Sequence, residues 1–368
     1  MDARYETLMR RGPRQMVHWE HWSNPDAETY LTGIDSYDHP RLCRLRLLEL
    51  YPQLNLAIPE SDDPLPRPRL SGAGDSPSAD HESHTVRWGA AETGTFVHGE
   101  AYFHSPEDVF AFSPLAHADF TGWTHVIENW DFSSEEVIYQ RLRKNYPMEW
   151  GDQPPQDTAS EVGFYNTMFM WPLLTFGWDL FLECCLDRRF EWVMAEFLEI
   201  NRRVFRAFAR LPVNFVTCHD DIVMTRGPVC SPRWMHRYIF PAYEELWGIL
   251  KNAGKRVTFM SDGRMDAYAD DVMACGANGI ISEPYTDYRT IARRHPDCFL
   301  AGEGDNRILS RNNPAEIRAM VQDMAVTGRM SRGYMMCIGN HIPWNVPGPA
   351  IKLYFDLSGE LAVRDFRF

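Results

Sequence analysis

Val257 to Asp305 read VTFMSDGRMDAYADDVMACGANGIISEPYTDYRTIARRHPDCFLAGEGD. Three short apolar runs stand in this stretch, Val257–Met260, Gly279–Ser282 and Phe299–Ala301, and acidic or small residues follow each one directly. The segments between them, Met265–Cys275 and Tyr288–Arg294, carry apolar residues at helical spacing. Gly254 and Gly276 stand where a helix ends in a left-handed cap. Strand, polar loop and helix in repetition are βα units, and consecutive βα units build a parallel sheet. The rhythm continues outward. Asn214–Thr217 predicts an earlier strand, and Ser231-Pro232 opens a helix over Arg233–Asn252. Asn313-Pro314 opens a later helix, Pro314–Thr327, and Tyr334–Ile338 reads as a last strand.

Towards the N-terminus, Gln15–Trp22 predicts a first strand and Pro40–Tyr51 a helix. Ser61–His84 is rich in Pro, Ser, Gly and Asp and reads as an exposed loop. Thr85–Trp88 and Thr95–Phe103, with Gly94 between them, predict a β-hairpin, and Ser105-Pro106-Glu107-Asp108 opens a short helix. The apolar stretch Phe164–Leu186 contains Pro172, Asp179 and Glu183, so it suits a buried strand running into a helix better than a membrane span. So many βα units in one chain favour a closed barrel, and no GxGxxG or Walker loop supports a dinucleotide fold. The expected fold is α/β: a (β/α)8 TIM-type barrel forming one domain over residues 1–368. It carries an N-terminal extension and a loop and hairpin insertion at 61–104.

Composition narrows the partners. The chain has 368 residues, 44% hydrophobic and 13% aromatic, enough apolar surface for a sizeable core. A net charge of −14 excludes the basic footprint that nucleic-acid binding needs. Eight cysteines are scattered, with Cys184 and Cys185 adjacent and no CxxC pair, a pattern that suits a reducing cytoplasm. Met1–Arg14 is charged and lacks the apolar core of a signal peptide. The expectation is a cytoplasmic protein acting on a small molecule, with no membrane partner.

In an α/β barrel, polar residues just past the strand ends face the substrate. Here these are Cys218-His219-Asp220-Asp221, Ser261-Asp262-Gly263, Glu283-Pro284, Gly302-Glu303-Gly304-Asp305 and Asn340-His341. Acidic groups at successive strand ends converge either on a cation or on a set of tuned acids and bases. An acidic residue there can also simply cap the next helix, and Asp262 is placed to do so. In the first strand, His18, Glu20 and Trp22 share one face, which makes His18 and Glu20 candidate ligands or a buried hydrogen-bonded pair.

The segment His219–Lys255, HDDIVMTRGPVCSPRWMHRYIFPAYEELWGILKNAGK, resembles one in the uroporphyrinogen decarboxylase superfamily. FMSDG (Phe259–Gly263), GANGIISEP (Gly276–Pro284), LAGEGDNRIL (Leu300–Leu309), NPAEIRAMV (Asn313–Val321) and IPWNVP (Ile342–Pro347) follow in the family's order, and RWG (Arg87–Gly89) resembles its hairpin signature. The resemblance implies either decarboxylation without a cofactor or methyl transfer to a corrinoid protein. It also implies pairing of two copies into a homodimer. The arginine-rich segment that follows the first strand in the decarboxylases is absent, since SNPDAETYLTG follows Trp22 and MRRGPR (Met9–Arg14) precedes the strand. The thiolate zinc site of the methyltransferases is absent too, because Met260, Asp262 and Asn340 stand in place of its His and two Cys, and Cys337 lies in the strand itself.

What remains is a hard site of oxygen donors with a histidine. The expected catalytic residues are Asp220, Asp221, Asp262, Glu283 and His341. His18, Glu20, His219, Arg226, Glu303 and Asn340 are expected to bind substrate. Asp262, Glu283 and His341 would hold zinc or another divalent metal, and a partner protein would supply the corrinoid. The leading expectation is transfer of a methyl group from a small methylated donor to that corrinoid protein. Decarboxylation of a carboxylate held by Arg226 and Arg264 is the alternative, and a non-catalytic ligand-binding barrel the third.

Overall fold

The βα rhythm is present in space, with breaks where single residues forbid continuation. A computed structural model describes residues 7, 9, 16–22, 24–65, 67, 83–88, 92–97, 103–119, 131–145, 161–165 and 167–362. In chain order the strands are β1 (Val17–Trp19), β2 (Leu54–Asn55), β3 (Ser83–Trp88), β4 (Glu92–Val97), β5 (Glu161–Tyr165), β6 (Phe215–His219), β7 (Val223–Met224), β8 (Gly227–Pro228), β9 (Arg256–Met260), β10 (Gly279–Ile281), β11 (Phe299–Ala301) and β12 (Gly333–Met336). The chain divides into two compact units. The first comprises Met1–Met9, Tyr102–Asp287 and Asp297–Phe299, and the second comprises Arg10–Ala101, Tyr288–Pro296 and Leu300–Phe368.

In the first unit the parallel strands lie in the order β5-β6-β9-β10. Tyr165 and Met260 both pair with His219, so the ends of β5, β6 and β9 stand level. The 21-residue helix Phe190–Arg210 buries Val193, Phe197, Ile200, Val204, Phe205 and Phe208 at helical spacing. Each buried side chain of this size contributes about 1.5–3 kcal/mol, which fixes the helix on its neighbours. The helix expected over Arg233–Asn252 is two helices, Pro232–Tyr238 and Phe240–Asn252. Pro241 has no N–H to continue the ladder and sits instead in the first turn of the second helix. The stretch Phe164–Leu186 holds the end of β5 and two helices, Met170–Phe176 and Trp178–Cys184, and Gly177, at φ +80°, separates the helices. The segment expected as the helix Met265–Cys275 is a 3₁₀ turn, Met265–Ala267, and then the helix Ala269–Cys275.

In the second unit the order is β2-β1-β12-β11. The first strand lies parallel beside the last, Val17 opposite Met335 and His18 opposite Met336. A chain wound in barrel order brings its first and last strands together in this way. With four parallel strands in each unit, the TIM-type α/β class expected from the sequence is the class observed. The first strand is shorter than expected, and Trp22 makes only an isolated bridge to Ile342. The hairpin pairs Ser83–Trp88 with Glu92–Val97, so Gly94 lies within β4 opposite Val86 and is not the turn. Arg10–Arg14 of MRRGPR and most of the loop after Ser61 lie outside the described residues. No helix among the described residues is long and apolar enough to cross a membrane.

Candidate metal centre

β6 runs two residues past its predicted end, which makes His219 its last residue and starts the loop at Asp220. Alternation along an extended chain sends neighbours to opposite sides, and the two aspartates diverge accordingly. Asp220 has no exposed surface. Its Oδ1 accepts the backbone N–H groups of Thr167 (3.0 Å) and Met170 (2.8 Å), and its Oδ2 accepts those of Phe169 (3.0 Å) and the Tyr243 hydroxyl (2.7 Å). The Thr167 hydroxyl is a fifth donor. Asp220 thus holds the start of the helix Met170–Phe176, where a carboxylate is favoured. Burial pushes its carboxyl upward against the pull of these donors. Asp220 was expected to be catalytic, yet its oxygens are occupied by the protein.

Asp221 turns the other way. Its Oδ1 lies 3.0 Å from His219 Nε2 and accepts the Asp262 N–H at 2.8 Å. The side-chain donor atoms of His219, Asp221 and Asp262 all lie within 4.8 Å of one another. Glu283 closes the cluster, its Oε2 accepting the Gly263 N–H at 2.8 Å. Burial pushes the Asp262 carboxyl up to about 6, and the charges of Asp221 and Glu283 add to this while His219 opposes it.

The turn carrying Asp262 tolerates only glycine at the next position. Gly263 has φ +96°, and a Cβ there would come within 2.6 Å of the Met224 backbone. Its carbonyl accepts the hydroxyls of Ser282 (3.1 Å) and Thr286 (3.2 Å). Thr286 also receives the Met265 N–H at 3.0 Å, so it supplies the cap that Asp262 was placed to give. Asp262 is thereby left to the cluster.

The remaining predicted residues behave differently. Arg226 is exposed at the tip of the β7–β8 turn, and Arg264 is exposed, its Nε donating to the Tyr285 carbonyl at 3.0 Å. In the second unit, His18 and Glu20 are 1% and 3% exposed, and their side chains are 2.7 Å apart. Glu20 also accepts the Tyr354 hydroxyl at 2.7 Å and the Ile338 N–H at 3.2 Å, while His18 Nδ1 meets Ser358 Oγ at 2.7 Å. Burial raises the Glu20 carboxyl, against these partners. This network stitches β1 to the C-terminal helix Gly348–Ala362 and leaves no surface for a substrate.

Glu303 accepts the hydroxyls of Thr327 and Tyr334, each at 2.7 Å. Asn340 is exposed and has φ +62°. His341 belongs to the second unit, whereas its expected co-ligands Asp262 and Glu283 belong to the first. Its ring neighbours His21 at 5.4 Å, and burial, reinforced by His21, lowers it to about 4. The donors gathered within reach of one another are therefore His219, Asp221 and Asp262.

One imidazole and two carboxylates suit a hard or borderline divalent cation such as magnesium, manganese or zinc. Burial raises Asp262 first, and the charges of Asp221 and Glu283 add to it; a cation bound among these carboxylates would relieve that repulsion, so the donor set fits such an ion.

No family model matches the chain, and no curated protein matches it. Among solved structures it is similar to a methyltransferase from Methanosarcina mazei, at 13% identity over 97% of both chains with a TM-score of 0.58. A xylose isomerase-like TIM barrel protein from Mycobacterium smegmatis in complex with magnesium also matches, at 10% identity and a TM-score of 0.28, over 71% of this chain and 100% of that one. The similarity to the methyltransferase shows a shared fold.

Proposed function

We propose that this chain is an enzyme of the uroporphyrinogen decarboxylase family that moves a methyl group from a small methylated donor to a corrinoid protein, at a site built on His219, Asp221 and Asp262. One observation carries the reading. Asp221, Asp262 and Glu283 meet at the mouth of adjacent strands with one histidine, and burial, with the charges of Asp221 and Glu283 adding to it, raises Asp262 to about 6. Such a site takes up a cation or a proton. The fold shared with a methyltransferase over nearly the whole chain is consistent with the choice of reaction.

Bound by His219, Asp221 and Asp262, a divalent cation would act as a Lewis acid on the heteroatom of the donor. The residues supply the rest. Asp221 orients the His219 ring through Nε2 and fixes the Asp262 backbone. Glu283 holds the Gly263 turn and so sets where the Asp262 carboxylate points. With no cation bound, Asp262 carries a proton below pH about 6, and in that state it can give the proton to a departing heteroatom.

The test is direct. The purified protein is incubated with methyl ethers or methylamines and reduced cobalamin, and methylcobalamin is followed by absorbance. Transfer by the wild type, with at least a hundredfold loss in Asp262→Ala, is expected. Release of carbon dioxide from a carboxylic acid, with no methyl transfer from any donor, would replace this reading with decarboxylation.

A further inference from the structure

We propose that a cavity in the second unit binds a small organic ammonium ion, an amine on an apolar body that also carries a hydroxyl or carbonyl oxygen. The cavity holds about 330 Å³ and is lined by residues between Trp22 and Leu65. At the roughly 30 Å³ that a water occupies in the liquid, it has room for about ten non-hydrogen atoms. The buried part of the lining is already balanced. Glu28 is 3% exposed, and its Oε1 accepts the Arg44 Nε–H at 3.0 Å while its Oε2 accepts the Ser36 hydroxyl at 2.7 Å. The Arg44 guanidinium also donates to the Ala57 carbonyl and lies over the Trp22 ring, 5.9 Å from its centre. Pro25, Pro40 and Pro64 add stiff apolar surface.

Two features of the lining are left without an answer from the fold. Glu60 and Asp63 are exposed, and among the described residues no cation pairs with either. Three carboxylates and one guanidinium line the cavity, a net charge of −2. The Trp22 indole N–H is buried and has no hydrogen-bond partner among the described residues. A buried donor of this kind calls for an acceptor.

The segment that carries Glu60 and Asp63 is pinned in place. The Leu65 N–H donates to the Tyr37 carbonyl at 2.7 Å, and Arg41 Nη1 donates to the Pro59 carbonyl at 2.5 Å. Asp62 is spent on the start of the helix Pro40–Leu50, where its Oδ1 accepts the Leu42 N–H at 3.0 Å. Asp63 accepts the Ser61 hydroxyl at 2.7 Å and keeps its charge for the cavity. A mouth held in this way costs a ligand little ordering entropy. The ammonium group goes to Glu60 and Asp63, the apolar body to the prolines, and the oxygen to the Trp22 N–H. A carboxylate ligand finds Arg44 already engaged by Glu28 and Ala57. The site shares no residue with His219, Asp221 and Asp262, so it stands apart from the metal reading.

The experiment is calorimetric titration of the full chain at pH 7 with phenylalaninol, phenethylamine and 3-phenylpropionate. Phenylalaninol is expected to bind once per chain with Kd below about 1 mM. Phenethylamine, which lacks the oxygen, is expected to bind about threefold more weakly or worse. The anion 3-phenylpropionate is expected to bind at least about tenfold more weakly. Joint replacement Glu60→Lys and Asp63→Lys, at exposed positions, is expected to weaken phenylalaninol at least about tenfold with thermal unfolding unchanged. Trp22→Phe is expected to erase the difference between phenylalaninol and phenethylamine. No binding at about 10 mM, equal binding of ammonium and carboxylate, or unchanged affinity in the double lysine variant overturns the proposal. Equal affinity for phenylalaninol and phenethylamine in the wild type overturns the requirement for an oxygen. Loss of binding in Asp262→Asn places the amine in the first unit and also overturns the proposal.

Discussion

The two units each bring acidic residues and histidines to strand ends, and they use them in opposite ways. In the second unit, Glu20 faces His18, the Tyr354 hydroxyl and the Ile338 N–H, and Glu303 faces two hydroxyls. In the first, Asp221, Asp262 and Glu283 face one another across His219 and the Gly263 turn. The same residue types are thus a fastening in one place and a charge trap in the other. What separates them is the partner: in the second unit hydroxyls, a histidine and an N–H of the fold occupy the carboxylate oxygens and oppose the effect of burial, whereas in the first neighbouring carboxylates add to it.

Asp220 gives the largest test, because it belongs with the fastenings although it adjoins the trap. Asp220→Ala leaves five donors around a buried void and is expected to cost about 3–5 kcal/mol in urea unfolding. A loss under 1 kcal/mol would move Asp220 into the reactive group. Glu20→Gln comes next. It keeps one acceptor but sets an amide N–H against donors, for about 1–3 kcal/mol of destabilisation with no change in metal affinity.

The smallest expected effect is the response of the trap to pH. The folded carboxyl of Asp262 lies at about 6, above its ordinary 3.8, so the metal-free folded state holds this proton more tightly than the unfolded chain. The stability that this proton lends is full below pH 3.8 and is lost as pH rises through about 6. Metal binding runs the other way. The cation must displace the proton, so apparent affinity should fall about tenfold from pH 7 to pH 5. A flat affinity over that range would remove Asp262 from the ligand set.

Much of the fold was legible because its signals are local. The caps at Ser231-Pro232 and Asn313-Pro314 and the stop at Gly276 each act within one turn. The break at Pro241 was equally local, and the smooth apolar spacing on both sides hid it. The candidate site was legible as a list of strand ends but not as a set of partners. Thr167 lies 53 residues before Asp220 and Tyr243 lies 23 after it, so nothing near Asp220 announced that its oxygens would be occupied. His341 was grouped with Asp262 and Glu283 by strand order alone, and its observed neighbour is His21. One local signal does separate these residues. His219 and Asp221 are two apart at a strand end, which puts them on one side and Asp220 on the other.

On the proposed reading the cluster in the first unit takes up a cation while the strand-end carboxylates of the second are fastenings. Titration of the metal-free protein with manganese at pH 7, on the wild type and Asp262→Asn, tests it most directly. One ion per chain is expected, with affinity about a hundredfold weaker in Asp262→Asn and unfolding unchanged in the absence of metal. Equal binding by both proteins, or none by the wild type at millimolar manganese, would contradict it.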